Sequence, residues 1–292
     1  MKPPPFVYHR PRSLSEAFDC LRTLDGDVKL LAGGQSLVPM LNFRLARPDH
    51  LVDLNDLTEL DYVRVGEATI EIGALARHHR LATDPQIRAA LPLLAHGAAS
   101  IGHYAIRRRG TLGGSLAHAD PAAQLPLLVL LLDADVLCHS VAGAREVPAA
   151  DFFQSIMTTA LEPGEVIVGV HLPVMPPHLG WGFELFSQRQ GDFAIVAVAA
   201  LLALDGDGRA SDLRVAVGGV SAKPVCFDDV TSGFLTQRPD DKWLMALADA
   251  VQAACEIEET RIPAIFRQEL VQVLTRRATA AALQRAREAS RP

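Results

Sequence analysis

Apolar positions recur at helical spacing near the start of the chain, where Leu14, Ala17, Phe18, Leu21 and Leu24 form one stripe. Ser13-Leu14-Ser15-Glu16 supplies a capping box ahead of it, and Asp25-Gly26 ends it. Val28 to Leu31 then reads as a short buried strand. Leu37, Met40, Leu41, Arg44 and Leu45 return to helical spacing, with Pro39 early enough in that helix to be tolerated. Leu51 to Leu54 and Thr69 to Gly73 predict strands, and His78 to Thr83 and Pro85 to Ala99 predict helices. The apolar stretch Ala122 to Leu132 predicts a buried helix starting near Asp120-Pro121. Asp135 to His139 and Val166 to Leu172 follow as strands.

The proline-rich stretch Pro173 to Gly180 reads as a linker, and the pattern changes beyond it. Trp181 to Gln188, Phe193 to Leu204 and Leu213 to Val220 predict three strands, with Asp205-Gly206-Asp207-Gly208 as a hairpin turn. That turn superficially suggests a calcium loop, but the distal glutamate such a loop needs is absent. Helices follow from about Asp240 to Ile257 and from Ile265 to Glu288. Strands followed by helices imply a small α+β domain.

Composition narrows the classes. The chain has 292 residues, 49% of them hydrophobic, enough for two domains with real cores and too apolar for disorder. A formal net charge of −6 and a pI near 5.9 argue against a nucleic-acid partner. The longest apolar runs, Leu125 to Leu132 and Ala194 to Leu204, fall far short of the ~20 residues of a membrane helix. The N-terminal Lys2-Pro3-Pro4-Pro5 shows no secretory signal, so a cytoplasmic location is expected. Cys20, Cys138, Cys226 and Cys255 lie scattered without a CxxC, which leaves no readable zinc ribbon or cysteine-ligated iron–sulfur cluster. No HExxH is present, and the adjacent His78 and His79 cannot share a helix or strand face, so no metal site is expected.

Candidate chemistry lies in two similar glycine pairs, Ala32-Gly33-Gly34-Gln35-Ser36 and Thr111-Leu112-Gly113-Gly114-Ser115. Each follows one structured segment and leads into a helical run. A Gly-Gly turn lets backbone N–H groups point into an anion such as a pyrophosphate, and a helix N-terminus adds positive potential. Neither pair fits GxGxxG or GxxxxGK[ST]. Two such turns meeting in space would clamp one dinucleotide.

Leu31 to Met40 followed by Arg44-Leu45-Ala46 resembles the first FAD-binding motif of the medium, flavoprotein subunit of molybdenum hydroxylases, the family of carbon monoxide and xanthine dehydrogenases. Ile106-Arg107, Gly110 to Ser115 and Ala119-Asp120-Pro121 resemble its second motif. Glu162-Pro163-Gly164-Glu165, Leu172-Pro173 and Gly191-Asp192-Phe193-Ala194 resemble later landmarks, so the likeness runs from Phe6 to about Arg285. It implies an α+β protein: a two-subdomain FAD-binding fold of the PCMH, vanillyl-alcohol-oxidase-like type over residues 1–177, divided near 57 and 58. A small C-terminal α+β domain of the CO-dehydrogenase-flavoprotein type, with a three-stranded antiparallel sheet and helices, would span 178–292.

The resemblance also implies roles. The amides of Ala32 through Ser36, with the Ser36 hydroxyl, would hold the pyrophosphate of non-covalent FAD, and Leu37 adjoins them. Thr111, Gly113, Gly114 and Ser115 would approach from the other subdomain, with Ile101, Ala117, Asp120 and Gln124 completing the site. Ile167 occupies the place of an apolar residue near the flavin or adenine. Arg107 to Arg109 offer charge neutralisation, or for Arg108 and Arg109 a solvated or partner-facing basic surface. Three departures from the family pattern stand out: Ser115 replaces an asparagine, Gln124 a carboxylate, and Leu185 and Phe193 a lysine and a tyrosine near the flavin. Phe193 can still cover a ring, whereas loss of the lysine bears on the flavin potential and the terminal acceptor.

No side-chain acid or base is required by this chemistry. The family passes electrons from [2Fe–2S] clusters of a small subunit, fed by a molybdenum cofactor in a large subunit, through FAD to an acceptor. Both partner subunits would be separate polypeptides, in a heterotrimer or a dimer of heterotrimers. Alternatives are a stand-alone flavin oxidoreductase of the UDP-N-acetylenolpyruvoylglucosamine-reductase or vanillyl-alcohol-oxidase kind, and a cofactor-free scaffold.

Overall fold

The computed structural model describes residues 2–290; Met1, Arg291 and Pro292, the outer ends of the two expected domains, lie outside them. Ser13 starts the first helix, α1 (Leu14–Thr23), its hydroxyl accepting from the Glu16 N–H at 3.2 Å. Glu16 reaches back to the Arg12 N–H at 2.7 Å instead of that of Ser13, so the expected capping box is one residue wider. A three-stranded parallel sheet runs in the order β1 (Val7–His9), β3 (His50–Asp53), β2 (Val28–Leu31). From β2 the chain turns directly into the short helix α2 (Leu37–Asn42).

A second sheet, five-stranded and antiparallel, has the order β4 (Val63–Val65), β5 (Thr69–Gly73), β10 (Val166–Pro173), β6 (Asp135–Ser140), β7 (Gly143–Pro148). Between β5 and β6 come α3 (His78–Thr83), α4 (Pro85–Ala90), α5 (Pro92–Ala99), α6 (Tyr104–Arg107), α7 (Leu112–His118) and α8 (Gln124–Leu131). Helix α9 (Ala149–Phe152) and the small hairpin of β8 (Phe153–Ser155) and β9 (Thr158–Thr159) precede β10. The single helix expected over Pro85 to Ala99 breaks at Leu91 (φ −138°, ψ 64°), because the residue before Pro92 is driven out of the helical region. The helix expected to start near Asp120-Pro121 begins at Gln124. Asp120 Oδ1 accepts the Ala122 N–H at 2.8 Å and holds that residue in a turn.

The C-terminal sheet is four-stranded where three were expected: β11 (Gly180–Phe186), β12 (Val196–Leu204), β13 (Ala210–Gly218) and the two-residue β14 (Val225–Cys226), too short to leave a periodic trace. Helices α10 (Asp228–Ser232), α11 (Asp241–Ala254) and α12 (Ala264–Ala289) follow. Val196, Val198, Ala200 and Leu202 of β12 pack with α11 and α12. Ala197, Ala199 and Leu201, on its other face, join the core built around α5 and α8. Burial on both faces explains why β12 reads as one apolar run. The proline-rich connection is pinned down: Val174 N–H donates to Ala68 O and Met175 N–H to Ala90 O, both at 2.9 Å. No helix among the described residues is long and apolar enough to cross a membrane.

Candidate functional site

Both glycine pairs sit where a strand or loop hands over to a helix. Ser36 is the N-cap of α2, and Thr111 is the N-cap of α7, accepting the Gly114 N–H on its hydroxyl at 3.2 Å. Gly34 takes φ +70°, which a side chain would strain. Gly33 is required for a different reason. A Cβ there would lie 2.4 Å from Arg109 O and 2.7 Å from Gly110 Cα, so the two turns touch backbone to backbone. From the second turn, a Cβ on Gly114 would come within 3.6 Å of Ala32 Cβ.

The turns meet but are chemically unequal. Among the described residues, the N–H groups of Gly33, Gly34, Gln35 and Ser36 have no protein acceptor, and the Ser36 hydroxyl makes no capping bond. In the second turn the Gly113 N–H is spent on Ala74 O at 2.8 Å, that of Ser115 on Thr111 O at 3.1 Å, and that of Gly114 on the Thr111 hydroxyl. The sequence suggests two equivalent amide nests. The structure corrects this to one open nest and one closed helix start, because the second pair lies inside the first turn of α7, where caps and neighbouring strands consume its donors.

Both turns face one cavity of about 520 Å³, within the usual range of small-molecule sites. The residues that the resemblance implies for cofactor binding line it: Ala32 through Leu37, Ile101, Thr111, Gly113, Gly114, Ser115, Ala117, Asp120, Gln124, Ile167 and Phe193. Ile167 reaches the cavity through a one-residue bulge at Val168, whose carbonyl accepts the Ala74 N–H at 3.0 Å. The bulge lets Ile167 and Val170 share one core while Val166 and Val168 face another. Phe193, 58% exposed, stands at the mouth on the connection between β11 and β12.

Other expectations are corrected. None of Arg107, Arg108 and Arg109 lines the cavity. Arg107 instead donates to the carbonyls of Ile101 and Gly102 at 2.9 and 2.8 Å, holding the loop before α6. Leu185 packs into the core between the domains and does not reach the cavity. The cation at the cavity lip is Lys29, 3.3 Å from Asp27.

Several lining or supporting groups left no mark in the periodicity. Glu165 lines the cavity, gripped by Arg145 through bonds of 2.6 and 2.7 Å, which holds its carboxyl below the usual range. His78 also lines it, 7% exposed. Burial pushes His78 down to about 4, so the ring is neutral; because Thr111 O at 2.9 Å can only accept, the proton sits on Nε2. His78 Nδ1 is buried without a partner among the described residues. Asn55 and Arg77, distant in sequence from both turns, connect them behind the cavity.

Comparison with known proteins agrees with this geometry. Residues 4–175 match the FAD binding domain in molybdopterin dehydrogenase, and residues 181–282 match the CO dehydrogenase flavoprotein C-terminal domain. The chain is 40% identical to the 6-hydroxypseudooxynicotine dehydrogenase complex subunit alpha of Paenarthrobacter nicotinovorans, covering 98% of this chain and 97% of that one. It is 36% identical to the carbon monoxide dehydrogenase medium chain of Hydrogenophaga pseudoflava, over 97% and 98% of the respective chains. The solved quinoline 2-oxidoreductase from Pseudomonas putida 86 superposes with a TM-score of 0.94 at 36% identity, over 98% of this chain and 99% of that chain. The cavity fits the FAD that such a domain binds: a diphosphate offers only acceptors, and the first turn offers the unspent N–H groups of Gly33 to Ser36. With both domain types matched in order and the relatives covered end to end, the chain belongs to the family of FAD-binding medium subunits of molybdenum hydroxylases, which includes those of the carbon monoxide dehydrogenases.

Proposed function

We propose that this chain is the electron-transfer subunit of a multi-subunit molybdenum-containing dehydrogenase, holding non-covalent FAD between the [2Fe–2S] clusters of a partner subunit and a terminal acceptor. The observation that carries the reading is the row of free N–H groups from Gly33 to Ser36, gathered at a cavity that a second subdomain closes. On this reading those amides and the Ser36 hydroxyl take the pyrophosphate, and Ser115 approaches it from the opposite turn. Ile101 and Ile167 form apolar wall, Gln124 bonds a ribose hydroxyl, and Phe193 covers a ring at the mouth. Thr111, Gly113 and Gly114 act by shaping the second turn, while Leu37, Ala117 and Asp120 complete the lining. Bound FAD supplies exchange of one or two electrons, which suits a junction between one-electron clusters and a two-electron acceptor.

The names of relatives, a medium chain and a complex subunit, support assembly with other polypeptides. The partners proposed are a small iron–sulfur subunit and a large molybdenum-cofactor subunit, in a heterotrimer or a dimer of heterotrimers in the cytoplasm. Substrate is then selected outside this chain. The working division is 1–177, with subdomains of about 1–57 and 58–177, and 178–292.

Purified protein is expected to absorb near ~370 and ~450 nm, to release its flavin on denaturation, and to co-purify with iron–sulfur and molybdenum subunits. Gly34→Val, at a positive φ, and Gly114→Val, whose side chain would press on the Thr111 hydroxyl and on Ala32, should each abolish FAD retention. Normal flavin content in both variants would refute the site.

A further inference from the structure

The adjacent residues Arg77 and His78 hold three successive carbonyls of the second turn. Arg77 Nη1 donates to Arg109 O at 2.5 Å, the His78 N–H to Gly110 O at 2.9 Å, and His78 Nε2 to Thr111 O at 2.9 Å. The other amino group of Arg77 donates to Asn55 Oδ1 at 2.7 Å, and Asn55 Nδ2 donates to Ala32 O at 2.8 Å. Asn55 is itself fixed by Asp53, whose Oδ1 accepts the Asn55 N–H at 2.9 Å and whose Oδ2 accepts the Tyr8 hydroxyl at 2.5 Å. An unbroken series of hydrogen bonds thus runs from the first glycine turn to the second.

Neither Asn55 nor Arg77 lines the cavity. Arg77 also forms no ion pair with any carboxylate among the described residues, so its planar fork is used wholly to bridge an amide and a peptide carbonyl. The bridge spans the place where Gly33 and Arg109 O already touch. Contact alone prevents the turns from moving closer; the bridge prevents them from moving apart.

We propose that Arg77, acting through Asn55, is a positioning residue that sets the spacing of the two turns and thereby the affinity for FAD, without touching the cofactor. The inference rests on the reading of the cavity as the FAD site.

The test is FAD titration of the full chain, in whichever assembly it purifies, for the wild type, Arg77→Met, Asn55→Ala, the double variant and Arg77→Lys. Flavin fluorescence and the visible circular dichroism of bound flavin are followed, with thermal unfolding of each FAD-free protein measured alongside. Each single loss should raise the FAD dissociation constant about 30-fold and alter the dichroism, since a displaced supporting group commonly costs ten- to a hundred-fold. The double variant should bind no more weakly than the singles, because one broken link already frees the turns. Arg77→Lys, which can reach only one of the two acceptors and so leaves the series broken, should lose as much affinity as Arg77→Met; it decides the matter if Arg77→Met does not fold. Binding within about twofold of wild type in Arg77→Met and Asn55→Ala, multiplying losses in the double variant, or losses that merely track unfolding temperature would each overturn the positioning role while leaving the FAD site intact. A wild-type chain that takes up no FAD would overturn both.

Discussion

Gly33 and Gly34 are neighbours with different physical obligations. Gly34 answers to its own backbone, at φ +70°, whereas Gly33 answers to another segment, Arg109-Gly110, which leaves no room for a methyl group. His78 is a third kind of case, a titratable ring spent on architecture. Burial is the largest influence lowering its pKa to about 4 from the ordinary 6.5, and the charges of Arg77 and Arg107 add to it, against the bond to Thr111 O. Between those values the unfolded chain binds a proton that the folded chain refuses. Stability from this ring is therefore complete above about pH 6.5 and falls as pH drops toward about 4, by up to about 3 kcal/mol at roughly 1.4 kcal/mol per pH unit. Urea unfolding at a series of pH values should show a shallower decline in His78→Gln than in wild type. Identical slopes would mean that the ring titrates normally in the folded state.

Among the elements, α8 does the most to join distant parts. Its sequence, Gln124 to Leu131, is apolar on every side, and accordingly Leu125 through Val129 are all buried. Pro126 costs it nothing, lying in the first turn where the missing N–H has no helical partner. One side of α8 meets α5, where Gly97 accommodates Leu128, and another meets the alanine face of β12. Leu128→Ala should cost about 2–5 kcal/mol by denaturant midpoint, the range for a large buried side chain whose cavity cannot collapse. A loss below about 1 kcal/mol would contradict the packing described. Elements of this length were legible because an unbroken apolar run or a sustained period marks them; β14 and the break at Leu91 were not, since two residues carry neither and a helix interruption by Pro92 depends on one dihedral.

The whole molecule has more than one sheet but no independent halves. Residues from α5, α8, β10 and β12 share a single core, and the connection between β10 and β11 is hydrogen-bonded to the first domain through Val174 and Met175. Calorimetry should therefore give one unfolding transition whose calorimetric and van't Hoff enthalpies agree, and added FAD should move that whole transition upward. Two resolved transitions, with only one responding to FAD, would show that the domains unfold separately.

By itself, the sequence determined the longer strands and helices and the two glycine turns, because apolar patterning and glycine placement are local properties of a chain, while Ile101, Ile167 and the other cavity residues followed from the family resemblance. Tertiary structure alone decided that the first turn keeps its N–H groups free while the second spends them, that Arg107 to Arg109 do not line the cavity, and that Asn55 and Arg77 bridge the turns. Those outcomes depend on which acceptors a folded neighbour brings within about 3 Å, and no spacing along the chain encodes that distance.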